Sequence, residues 1–175
     1  MADPGPSSTG SALEVEVVRR AEIWNRIAVS DDALLRAANA AFAAVSPARR
    51  DPYEATLVLT DDAEMRALNR IWRGKDTSTN VLSFPAGEPV GTTHGESLPL
   101  GDVVLAAETV LAEADDKGIS VADHVAHLVV HGTLHLLGRD HAHDADAERM
   151  ESLETEVLAR LGIADPYAAA AEVTP

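Results

Sequence analysis

Residues 120–141 read SVADHVAHLVVHGTLHLLGRDH. Ser120 is a favoured N-cap type, and the apolar residues after Val121 predict a helix running as far as Gly138. His131 and His135 are four apart, so both rings stand on one helix face. Gly138 can take the left-handed conformation that ends a helix and turns the chain back. His141, three residues beyond it, can then close on the same point from the far side.

Upstream, residues 13–18 (LEVEVV) alternate and predict a strand. Ser30, Asp31 and Asp32 cap a helix running to about Val45, with Leu34, Leu35, Ala38 and Phe42 on one face. Residues 54–60 (EATLVLT) predict a second strand. Asp61 then opens a helix with Glu64 as its capping-box partner. That helix turns Met65, Leu68, Ile71 and Trp72 inward and ends near Arg73-Gly74. Residues 80–84 (NVLSF) predict a strand stopped by Pro85, 86–99 a surface loop, and 101–106 (GDVVLA) a fourth strand. A further helix ends near Lys117 with Gly118, and a last one opens at Asp144 and stops at Gly162. This order implies an α+β fold, a small mixed four-stranded sheet packed with helices. Residues 1–11 read as a disordered tail, 12–164 as one domain, and 165–175 as a loose C-terminal tail.

The pattern H-x-x-x-H-x-x-G-x-x-H has the spacing of the metzincin zinc motif, which makes residues 121–138 a zincin-like metal helix. Three imidazoles, His131, His135 and His141, leave a fourth tetrahedral position for water, the open geometry of a catalytic zinc site. Neutral ligands leave the full cationic charge to lower the pKa of that water to about 7. One Zn2+ is the expected ion, although other divalent metals also suit imidazoles. His127 lies eight residues from His135, roughly 12 Å along a helix, too far for one ion to bridge. It is therefore a supporting, surface or substrate-facing residue. Asp140 either orients a ligand imidazole or is a solvated turn residue. His94, His124 and His143 read as ordinary histidines. Zinc proteases of the HExxH type place a glutamate directly after the first histidine, and here that position is Gly132. The metal pattern thus lacks the usual base for peptide hydrolysis.

The chain carries a formal net charge of −15, so its surface as a whole is no nucleic-acid footprint. Any polyanion must be met by a local cationic patch or by the metal. Arg73 and Lys75, flanking Gly74, are such a pair: Arg can hold a phosphate bidentately and Lys adds a point charge. A routine charge at a helix C-terminus would look the same. There is no cysteine, which excludes thiolate zinc sites and disulfides. No apolar run is long enough for a membrane span, and the N-terminus lacks the pattern of a signal peptide, so a cytoplasmic protein without a membrane partner is expected.

Four segments together resemble a known family. LNRIWRGKD (68–76), TNVLSFP (79–85), LGDVV (100–104) and HGTLHLLGRDH (131–141) look like the YbeY-type endoribonucleases, the bacterial rRNA maturation factors. The likeness covers roughly residues 13–163. It implies a zinc-dependent endoribonuclease specific for single strands, acting in 16S rRNA 3′-end maturation and ribosome quality control. The partners it implies are single-stranded rRNA and the ribosome or its small subunit. The family's zinc ligands fall on His131, His135 and His141, and its functionally important arginine falls on Arg73. Two residues depart from the pattern: Asn80 stands where the family usually has Asp, and Arg139 where Tyr is frequent. The first removes a carboxylate; the second adds a cation beside the metal turn. Two other readings remain, a ribosome-assembly factor with a structural zinc and a metalloprotease.

Overall fold

The structure is a computed structural model, and it describes residues 13–45, 51–87, 96–139 and 144–168. Four strands form one sheet in the order β1-β2-β4-β3. They are β1 (Leu13–Arg19), β2 (Tyr53–Thr60), β3 (Val81–Pro85) and β4 (Leu98–Ala106). β1 and β2 are parallel, as are β2 and β4, while β3 runs antiparallel to β4 and forms an edge. The expected mixed four-stranded sheet is therefore present. The helices are α1 (Asp31–Val45), α2 (Asp62–Arg73), α3 (Ala107–Lys117), α4 (Val121–Leu136) and α5 (Asp144–Arg160).

Alternation along the strands feeds two cores, one on each face of the sheet. Ala55, Leu57 and Leu59 of β2 and Val103 and Leu105 of β4 join Leu34 and Phe42 of α1, Val129 and Leu134 of α4 and Val157 of α5. On the other face Val58, Leu82, Val104 and Ala106 meet Met65 of α2, with Leu68 and Phe84 packed against them. α4 lies closest to the sheet at Gly132, where a Cβ would sit 2.5 Å from Val103 Cγ1 and 3.2 Å from Ser83 Oγ. Only glycine allows that approach. The Ser83 hydroxyl donates to the Gly132 carbonyl at 3.1 Å, joining the edge strand to α4.

Several local expectations need correction. Asp61 does cap α2, accepting from the Glu64 N–H at 2.9 Å. Glu64, however, does not return to Asp61; its carboxylate takes Arg20 and the Thr60 hydroxyl instead, because a cation lies within reach. β4 starts at Leu98, inside the expected 86–99 loop, since Leu98 and Leu100 pack into the core. α4 stops at Leu136, two residues early; Gly138 has φ +78° and the Arg139 N–H bonds the Leu134 carbonyl at 3.0 Å, closing the helix end as expected of a left-handed glycine. A 3-10 turn, Glu22–Arg26, was not foreseen; it exists to bury Trp24, whose indole N–H reaches the Thr60 carbonyl at 2.7 Å.

The largest correction concerns α2. Ile71 and Trp72 do not turn inward: they are 69% and 66% exposed. α2 is anchored at its start, where Asp62 accepts from the Thr109 N–H and hydroxyl of α3 at 3.1 and 2.8 Å and Met65 is fully buried. In its last turn the Trp72 ring meets Phe84 of β3 edge-on, and among the described residues the rest of its apolar side stays exposed.

Candidate metal and phosphate cleft

A cleft of about 690 Å³ opens between the end of α2, the turn after it, the edge strand β3 and α4. His131, His135 and Arg139 line one side; Arg73 and Lys75 line another, with Asn80 and Ser83 between. Chain folding thus gathers the two sequence constellations, some 60 residues apart, into one cavity. His141 and Asp140 lie outside the described residues, as do His94 and His143. Among the described residues no cluster of three metal-ligating side chains occurs.

The helical spacing brings His131 Nε2 and His135 Nε2 to 3.1 Å from each other. Two nitrogens about 2.05 Å from one tetrahedral ion stand about 3.3 Å apart, so this pair fits a shared zinc. The orientation of His131 is fixed from behind. Its Nδ1 lies 2.6 Å from Glu154 Oε1 of α5, so Nδ1 carries the proton and Nε2 presents its lone pair to the cleft. Glu154 is 1% exposed. Burial pushes its carboxyl pKa up, but hydrogen bonds from His127, His131 and Tyr167 outweigh that and hold it at about 2.

Sequence reading missed Glu154. The available signal was its place on the apolar stripe of α5, four residues after Met150 and three and four before Val157 and Leu158, all buried. His127 shares this carboxylate, its Nε2 being 3.0 Å from Glu154 Oε2. It therefore stands behind the cleft. The Tyr167 hydroxyl donates to Glu154 as well, so the expected C-terminal tail lends a side chain to the support of the site. Burial and the neighbouring carboxylates push the Tyr167 pKa up, which keeps its hydroxyl a donor.

Further along α4, His124 is fully buried and its Nε2 meets Glu113 Oε2 at 2.7 Å. Burial lowers its pKa against the opposing pull of Glu113. Glu113 also accepts two hydrogen bonds from the Asn80 amide, at 2.9 and 3.2 Å. The amide at position 80 supplies donors where Asp would set two carboxylates face to face.

On the α2 side, buried Asn69 donates to the Thr77 carbonyl at 2.8 Å and so shapes the turn that carries Lys75. Asp76 is engaged bidentately by Arg66 at 2.9 Å, which lowers its pKa and satisfies its charge. No ion pair among the described residues involves Arg73 or Lys75. Their charge faces the cleft uncompensated by Asp76.

The described residues thus form an α+β domain whose cleft sets two converging imidazoles opposite a cationic pair. The family model described as Endoribonuclease YbeY matches residues 21–162, and the chain belongs to that family. A protein of Azorhizobium caulinodans named Endoribonuclease YbeY is 48% identical over 161 residues, covering 91% of this chain and 99% of that one. Another of the same name, from Parvibaculum lavamentivorans, is 49% identical over 169 residues, 93% of this chain and 89% of the relative. A Thermotoga maritima protein solved in solution shares the fold, with a TM-score of 0.51 at 18% identity over 85% of this chain and 91% of that one. No helix among the described residues is long and apolar enough to cross a membrane.

Proposed function

We propose that this chain is a zinc-dependent, single-strand-specific endoribonuclease acting in 16S rRNA 3′-end maturation and ribosome quality control, with the small ribosomal subunit as its partner. The observation that carries this reading is that His131 and His135 line the same cleft as Arg73 and Lys75. Family membership supports the RNA substrate, since relatives of the same family are named endoribonucleases.

His131, His135 and His141 would hold the ion, and zinc when bound supplies Lewis-acid activation of water and neutralises phosphate charge. Glu154 favours the His131 tautomer whose Nε2 would coordinate the ion. Arg73 offers a planar fork to the non-bridging phosphate oxygens, where charge grows as the nucleophile adds. Lys75 adds a point charge that draws the backbone in. A cleft of about 690 Å³ suits a few extended nucleotides better than a duplex. Peptide hydrolysis is disfavoured at residue 132, where even a Cβ meets Val103.

Metal analysis of the purified protein, paired with cleavage of single-stranded and duplex RNA with and without chelator, tests this reading, with casein as the counter-substrate. The expected result is one ion per chain, cleavage of the single strand alone, and its loss on chelation. Arg73→Ala should lower kcat/KM by roughly 10²- to 10³-fold, with Arg73→Lys recovering only part. A protein without metal, or His135→Ala cleaving like the parent, overturns it.

A further inference from the structure

α2 ends in an apolar pair that the fold leaves open. Ile71 and Trp72 are the most exposed large hydrophobic side chains among the described residues. The Trp72 ring meets Phe84 of β3 edge-on, with centroids 5.8 Å apart and planes at 64°. At 66% exposure most of the indole faces solvent. On α2, Asn69 three residues before Trp72 and Arg73 one after it line the cleft, while the ring it touches, Phe84, borders a neighbouring pocket with Glu14, Glu16, Glu54 and Asp102.

In a chain of net charge −15, the cleft next to α2's last turn carries Arg73 and Lys75, while Asp76 is held by Arg66. A flat open ring beside cations suits a polymer of alternating anionic phosphates and flat bases. A second copy of this acidic chain is the competing occupant, since its carboxylates would meet the same cations.

We infer that Trp72 is a stacking shelf for an RNA base, set at the rim of the cleft so that the adjoining phosphate falls to Arg73. The inference rests on the endoribonuclease reading and assigns a binding residue to it. Stacking is indifferent to which base is present, so Trp72 adds affinity without sequence preference.

The chain has two tryptophans, and Trp24 is buried, so emission changes on ligand binding report Trp72. The full chain, kept inactive by chelator, is titrated with a single-stranded oligoadenylate and with an abasic oligonucleotide of equal length. The adenylate should quench the emission and the abasic strand should not. Read by the anisotropy of a labelled oligoadenylate, Trp72→Ala should raise Kd by roughly 5- to 100-fold, with Trp72→Phe keeping most of the affinity. In the metal-loaded enzyme the same change should raise KM and leave kcat nearly unmoved. Because Trp72 is exposed, circular dichroism of Trp72→Ala should match the parent. Equal quenching by both strands, or unaltered Kd and KM in Trp72→Ala, overturns the shelf while leaving the nuclease reading intact. A concentration-dependent dimer that Trp72→Ala abolishes, with RNA affinity unchanged, overturns it in favour of self-association. A parent protein that neither binds nor cleaves single-stranded RNA overturns both.

Discussion

The two walls of the cleft are built on different principles. On the α4 side the cleft imidazole is backed by buried groups: Glu154 under His131 and His127, Tyr167 on Glu154, and Gly132 seated on Val103 and Ser83. On the α2 side Arg73, Lys75 and Trp72 are exposed, burial along the helix ending at Met65 and Asn69. The wall that would orient reacting atoms is locked by packing, whereas the wall that would meet a long flexible polyanion keeps its side-chain freedom.

The comparison is most exposed to failure at Glu154. With its carboxyl held at about 2 against an ordinary 4.5, the folded state favours the ionised form. That contribution is complete above pH 4.5 and is lost as the pH falls towards 2, on the order of 3 kcal/mol in all. Urea unfolding of the chelated protein across that range should show the loss, and Glu154→Gln should lack most of it. Parallel curves for the two proteins would mean that the α4 wall is not anchored there. Next in size is Gly132→Ala, whose methyl group would press on Val103 and cost about 1–3 kcal/mol, seen as a lowered Tm. An unchanged Tm would show α4 free to lift off the sheet. The smallest effect sharpens the contrast from the other side: Ile71→Ala should stay within about 0.5 kcal/mol of the parent in the same unfolding assay. A loss as large as that of a core residue would place Ile71 under cover in solution.

How much could be read beforehand follows the same division. α4 was legible because its cap, its apolar spacing and its terminal glycine agree, and each reports on a helix that is buried along most of its length. The amphipathic pattern of α2 predicted a buried face at Ile71 and Trp72 with equal force. Periodicity says which residues share a face; it does not say how much of that face a neighbouring element covers. The imidazole pair and Arg73 were recognisable by residue type and spacing, but their meeting in one cavity depends on the antiparallel return of β3 along β4, a pairing over 20 residues that local pattern does not encode. Glu154 was obscured by company, being one of several acidic residues in α5, and Tyr167 by lying where the chain reads as tail.

The edge strand that borders the cleft carries a cost that the fold has contained. The Asn80 carbonyl and the Ala86 N–H bond to β4, so alternate residues of β3, Ser83 among them, direct their main-chain groups away from the sheet. Such an unpaired rim invites another molecule to add a strand and begin a fibril. Here the rim is five residues long, its last residue is a proline with no N–H to offer, and the end of α4 stands over it. An extended ligand can lie along it, but a second sheet has too little length to grip, which lets an enzyme keep an open strand beside its working surface and remain dispersed.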